Sequence, residues 1–192
     1  MNEDDWLAPL IPLVKAHVRD RPVLELGCGD GQDTSVLATA GCHVVGIDLS
    51  AQALAMARAR VPSCEFHCQD IRAPFPPSVT EVNVIVASLS LHYFEWSETV
   101  ELVGRIRSAL SPSGLLLCRL NSTNDHHYGA IGHPKIGLNY YLVKGEPKRF
   151  FDKAAVEALF SDGWRTLKLT EKVVRRYKHP KSVWEAVLER AA

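Results

Sequence analysis

The chain has 192 residues, 46% of them hydrophobic, which is enough for one well-buried core and too few for two ordinary domains. Lys and Arg number 22 and Asp and Glu 22, so the net charge is +0 and no global positive field exists to gather nucleic acid or anionic lipid. The acidic start, Met1 to Asp5, leads into an apolar run broken by Pro9, Pro12 and Lys15, which fits neither a signal peptide nor a spanning helix, so a cytoplasmic protein without membrane partners is expected.

Trp6, Leu10, Leu13 and Val14 recur at roughly helical spacing toward His17 and predict a helix beside a ligand cleft. Val23 to Leu26 follows as a short strand containing Glu25 and runs into Gly27-Cys28-Gly29-Asp30-Gly31. Glycines between a strand and a helix expose bare main chain to a ligand, and glycine enters the left-handed region without steric cost. A dinucleotide turn has the spacing G-x-G-x-x-G and seats pyrophosphate on the helix N-terminus. Here the glycines run G-x-G-x-G behind an acid, and Glu25 and Asp30 would repel phosphate. A ligand with an ammonium group and ribose hydroxyls but no phosphate suits them better.

A helix through Thr34 to Ala40 is stopped by Gly41, and a second strand, Val44 to Ile47, ends in Asp48, ahead of Leu49, Ser50 and a helix from Ala51 to Arg60. A carboxylate at position 48 can accept both ribose hydroxyls, as an acid does at the matching place in dinucleotide folds. The third strand, Cys64 to Cys68, leads to Asp70 and Ile71. At this point the chain resembles the class I S-adenosyl-L-methionine-dependent methyltransferases, whose first motif has the form acid-x-Gly-x-Gly-x-Gly and whose third strand ends in an acid that accepts from the adenine amino group. The resemblance implies S-adenosyl-L-methionine as cofactor, S-adenosyl-L-homocysteine as product, and Glu25, Gly27, Cys28, Gly29, Asp48, Leu49, Asp70, Ile71 and Ser88 as the residues that bind them. A nicotinamide oxidoreductase is the reading that the glycine spacing disfavours most.

Five cysteines, with no CxxC pair, argue against a disulfide framework. Cys64 and Cys68 bracket His67, but alternation along a strand turns both thiols away from the imidazole, so no metal site is expected. Pro74 to Pro77 marks a turn, and Val82 to Ala87 is apolar enough to be buried on both faces. Ser97 is placed to cap a helix whose Val100, Val103, Ile106 and Leu110 share a face, and Ser111-Pro112-Ser113-Gly114 turns the chain into a fifth strand, Leu115 to Leu120.

From Asn121 to Arg149 the periodicity disappears. Asp152 then caps a helix ended by Gly163, and Trp164 to Val173 and Val183 to Leu188 read as two closing strands. The alternation predicts an α/β fold: a doubly wound, mostly parallel seven-stranded sheet with an antiparallel C-terminal end and helices on both faces. Residues 1–192 are expected to form a single domain in which 121–149 is an acceptor-side loop or lid. The resemblance covers Val23 to Glu189 and is specific as far as Leu120.

The fourth strand runs into Ser88-Leu89-Ser90-Leu91-His92-Tyr93-Phe94. Family members that methylate adenine, cytosine or glutamine amino groups carry an Asn/Asp-Pro-Pro-aromatic tetrad there, which this chain lacks. The Leu-His-Tyr-Phe pattern looks more like the small-molecule enzymes, so a small-molecule acceptor is expected and nucleic acid is not. A protein or RNA methyltransferase and a non-catalytic cofactor-binding module are the alternatives. Methyl transfer from a sulfonium needs an in-line nucleophile and, for some acceptors, a base. His92 is the candidate base, with a backbone-bonding role as the competing reading. His92, Tyr93, Asn121, His126, His127 and Tyr140 are the candidate acceptor residues. Arg119 pairs either with a ligand carboxylate or with a nearby acid, and the basic run Lys172, Arg175, Arg176, Lys178, His179 and Lys181 reads as a solvated hairpin end.

Overall fold

The computed structural model describes residues 5–79, 81–175 and 177–191. Most of the acidic start and Arg176 of the basic run lie outside the described residues. The main sheet has seven strands: β1 (Val23–Leu26), β2 (Val44–Asp48), β3 (Glu65–Cys68), β4 (Val82–Ser88), β5 (Leu110–Asn121), and two closing strands reached after a small insertion. The insertion carries β6 (Lys135–Gly137), β7 (Tyr140–Val143) and β8 (Glu146–Arg149), and the closing strands are β9 (Trp164–Val174) and β10 (Lys181–Arg190). Order in the main sheet is β3-β2-β1-β4-β5-β10-β9, with β1 to β5 parallel and β10 antiparallel to both neighbours.

Strand alternation sorts the apolar side chains into two layers. Leu24, Leu26, Ile85, Leu116 and Cys118 meet α4 (Trp96–Ala109) and α5 (Lys153–Leu159) through Leu102, Ile106 and Val156. Val23, Val44, Val84, Val86 and Leu117 meet α1 (Ile11–Val18) and α2 (Gln32–Thr39) through Val14 and Leu37. The remaining helix, α3 (Ala51–Arg60), begins at Ser50, whose hydroxyl accepts from the Ala53 N–H at 3.1 Å. Among the described residues no helix is long and apolar enough to cross a membrane.

Three local expectations are corrected. The cap of α4 is Glu95 rather than Ser97: its carboxylate accepts from the N3 amide while Glu98 accepts from the Glu95 N–H at 3.3 Å, a reciprocal box that places Ser97 inside the first turn. The turn before the fifth strand is an irregularity within β5, with Ser113 at φ 61° and the pairing slipping between Val82 and Val84. The segment 121–149 is not structureless, because it folds as the sheet β6-β7-β8. Those strands are only three or four residues long and mix exposed, half-buried and buried positions, so no periodic signal could accumulate.

The insertion closes on itself. The Phe151 N–H donates to Asn121 O at 2.8 Å and the Thr123 N–H donates back to Phe151 O at 3.0 Å, which holds the small sheet over the carboxyl ends of the parallel strands, where open α/β sheets take their ligands.

Candidate functional site

A cavity of about 1010 Å³ opens there, bounded by the turns after β1 to β4 and roofed by Tyr140, Glu146 and Pro147 of the small sheet. Its floor begins with the glycine turn. The amides of Gly27 and Cys28 both donate to Ile47 O, at 2.7 and 3.0 Å, which ties the end of β1 to the end of β2. Gly27 and Gly29 have φ of 71° and 55°, in the left-handed region that glycine tolerates best. A Cβ built on Gly29 would meet nothing within 4 Å, so its backbone is bare toward the cavity.

Asp48 braces the two turns: Gly29 N–H donates to one carboxylate oxygen and Ser50 N–H to the other, both at 2.8 Å. A carboxylate offers about four lone-pair directions, so acceptor capacity remains at the cavity wall. Leu49, 71% exposed, stands beside it as an uncovered apolar face. Asp70 is gripped by Arg72, whose guanidinium donates to it at 2.7 Å and reaches Glu98 at 3.3 Å. Those hydrogen bonds hold the Asp70 carboxyl below its ordinary range.

Of the nine expected cofactor residues, Gly27, Gly29, Asp48, Leu49, Asp70 and Ile71 line the cavity. Glu25, Cys28 and Ser88 lie behind the wall. Glu25 is 2% exposed and accepts from the Thr34 hydroxyl at 2.5 Å. Burial pushes its pKa up to about 8; Thr34 opposes the shift, and Asp33 and Asp48 add to it. Cys28 packs among Leu54, Ala57 and Phe66, and burial raises its thiol far above the usual range. Ser88 accepts from Arg119 Nε at 2.9 Å. Arg119 is itself buried, lies 3.8 Å from Asp33, and sits 4.8 Å from the ring of Trp6, whose indole N–H donates to Asp33 at 3.0 Å.

The acceptor candidates separate. Tyr93 and Tyr140 both line the cavity, and the Tyr140 hydroxyl donates to Tyr93 O at 3.1 Å. His92 and Asn121 are buried at the ends of β4 and β5, outside that lining. His92 accepts through its carbonyl from the Arg149 N–H at 2.7 Å and packs its ring 4.1 Å from Tyr93. Burial, then the ammonium charges of Lys181 and Lys148, push the imidazole pKa down to about 3. His126 and His127 are exposed, and His127 stacks on His179 at 5.3 Å, away from the lining.

Among the described residues, Ser90 Oγ, His92 Nδ1 and Asn121 Oδ1 are buried polar atoms with no hydrogen-bond partner. Leu89, between Ser88 and Ser90, has φ 56°, and its N–H donates to Arg119 O at 2.9 Å. A β-region residue there would aim Ser90 elsewhere, so the strained turn sets the wall.

A family model described as a methyltransferase domain matches residues 23–114. The trans-aconitate 2-methyltransferase of Delftia acidovorans is 36% identical over 203 residues, covering 93% of this chain and 69% of that protein. The chain belongs to the class I S-adenosylmethionine-dependent methyltransferases. S-adenosylmethionine is therefore its methyl donor. The trans-aconitate 2-methyltransferase of Paracidovorax citrulli is 38% identical over 100 residues, and there the alignment spans 51% of this methyltransferase and only 38% of the relative. A SAM-dependent methyltransferase from Methanosarcina mazei shares the fold with a TM-score of 0.76 at 16% identity, covering 94% of this chain and 97% of the other.

Several residues of the methyltransferase cavity had no sequence signal. Arg72 follows Asp70 by two positions, and only its place after an acid-ended strand hinted at the clip. Glu146 and Pro147 lie in the aperiodic stretch. Lys181 was expected on a solvated hairpin end; instead it is buried and donates to Asp125 at 2.8 Å, in a pair whose side chains are 11% and 0% exposed.

Proposed function

We propose that this methyltransferase esterifies a carboxylate of a small organic acid. S-adenosylmethionine, when bound, supplies a methyl group already activated on a sulfonium. Gly27, Gly29, Asp48, Leu49, Asp70 and Ile71 build the wall that holds it, with Glu25, Cys28 and Ser88 acting from behind the lining. The lining fits such a cofactor: bare glycine backbone admits close approach, and Asp48, Asp70, Glu95, Glu98 and Glu146 against Arg72 suit a cation.

One observation carries the choice of acceptor. His92, in the turn after β4, is 4% exposed, off the cavity lining, and a weak base, with its pKa pushed down to about 3. A group that binds a proton so poorly does not take one from a hydroxyl or an ammonium near neutral pH. A carboxylate is already anionic there and needs no base. His92 then serves to hold the roof, through its carbonyl, rather than to move a proton. The names of the Delftia and Paracidovorax relatives support an organic acid, and the free state of all five cysteines fits a reducing, cytoplasmic setting.

The test is a panel of small carboxylic acids, amines, thiols and phenols incubated with the protein and S-adenosylmethionine, with products separated by mass spectrometry. Methyl esters that mild base hydrolyses are expected. Methylation confined to nitrogen or sulfur would overturn the reading.

A further inference from the structure

The small sheet carries a cation that the site as described does not use. Successive side chains of a strand alternate, so Glu146 and Lys148 share one face of β8 and stand about 7 Å apart. Glu146 lies at the cavity wall. Lys148 is the next residue on that face, less exposed than Glu146 and just outside the lining, and the Arg149 N–H to His92 O bond of 2.7 Å sets this end of β8 against His92. The chain then continues to Asn121, where Phe151 N–H donates to Asn121 O at 2.8 Å. His92, whose Nδ1 is buried without a partner, therefore lies within reach of the charges of Lys148 and Lys181.

Lys148 is half-buried, and among the described residues it has no ion-pair partner. Around it are the ammonium groups of Lys144 and Lys181 and the carboxylates of Glu146 and Asp125, which leaves this corner positive. Lys181 is the buried member, held at 2.8 Å by Asp125 and lying 5.2 Å from the ring of Tyr128. A partly desolvated cation held in no direct ion pair gains most from an anion delivered by a ligand.

We propose that Lys148, backed by Lys181, receives a second carboxylate of the acceptor, so that the substrate is a di- or tricarboxylate. The inference rests on the carboxylate reading above. The acidic rim formed by Glu95, Glu98 and Glu146 then faces the cofactor, and the basic corner faces the acid.

Crotonate, fumarate and trans-aconitate share one trans-enoate unit and carry one, two and three carboxylates. With the full chain and saturating S-adenosylmethionine, kcat/KM should rise in that order. Lys148→Gln should lower the preference for trans-aconitate over crotonate roughly 10- to 100-fold, mainly through KM, since one charge-assisted hydrogen bond is lost. Lys148→Arg should restore most of it. Calorimetric titration of trans-aconitate into protein loaded with S-adenosylhomocysteine should show the same loss without reference to turnover. Equal use of the three acids, or a Lys148→Gln variant with unaltered preference and affinity, would overturn the second-carboxylate site and leave esterification standing. No ester from any of the three, alongside methylation of an amine or thiol, would remove the carboxylate reading and this inference together.

Discussion

A Cβ placed on Gly27 would lie 2.5 Å from the Cβ of Ser90, so the turn after β1 and the turn after β4 touch through the absence of a side chain. At φ 71° the position also strains any other residue. Gly27→Ala should cost about 1–3 kcal/mol in chemical denaturation, as overpacking typically does. It should also weaken S-adenosylhomocysteine binding in calorimetry. Adding Ser90→Gly should recover part of the stability, because it removes the atom in conflict while leaving the strained φ.

Asp48 offers a different separation of binding from folding. Its two oxygens take the Gly29 and Ser50 amides. Asp48→Asn keeps one acceptor oxygen, whereas Asp48→Ala removes both. Calorimetry with S-adenosylhomocysteine should show a loss of roughly 10- to 100-fold for Ala and a smaller one for Asn, from about 1.5–3 kcal/mol per hydrogen bond to a charged group. Near-native circular dichroism should accompany both. Full affinity in a folded Asp48→Ala variant would place the ribose contact elsewhere.

Glu25 gives the protein a pH signature. Its folded pKa is raised to about 8 from an ordinary value of 4.5, chiefly by burial. The unfolded carboxyl therefore ionises first as pH rises. This group's contribution is fully present below the ordinary value and is lost as pH climbs through the folded one. Tm of the unliganded protein should fall between those two values, and Glu25→Gln, still able to accept from Thr34, should flatten the decline. An unchanged slope in that variant would assign the decline to other groups.

The pair between Asp125 and Lys181 crosses from the insertion to β10 in near-complete burial. Asp125→Ala strands an ammonium in a dry site and should cost about 3–5 kcal/mol, whereas replacing both residues, Asp125→Leu with Lys181→Met, should cost much less. Urea unfolding of the two variants distinguishes a paired buried charge from simple loss of packing.

Much of the donor half was legible because each of its features is local. The glycine turn, Asp48 and Asp70 follow their strands within a few residues, and strand ends in a parallel sheet converge on one edge. The burial of Glu25 and Ser88 was not, since both depend on partners, Thr34 and Arg119, that reach them from other elements. Tyr93 was legible as a residue of the cavity wall from its place after β4. The neighbourhood of Glu146, Lys148 and Lys181 was not, because it depends on a small sheet of three- and four-residue strands and on a buried ion pair 56 positions apart. Side-chain type alone could not distinguish the exposed His126 and His127 from the buried His92.

The chain leaves the core at Asn121 and re-enters it at Phe151, and those two residues are hydrogen-bonded neighbours. An excursion whose ends already touch can be lengthened at small entropic cost, about 0.6 kcal/mol per doubling of a flexible loop. It can also be traded for another without shifting a strand of the main sheet. About thirty residues that roof the cavity are thereby set apart from its floor: their length and composition can change while the glycine turn, Asp48 and Asp70 stay where they are.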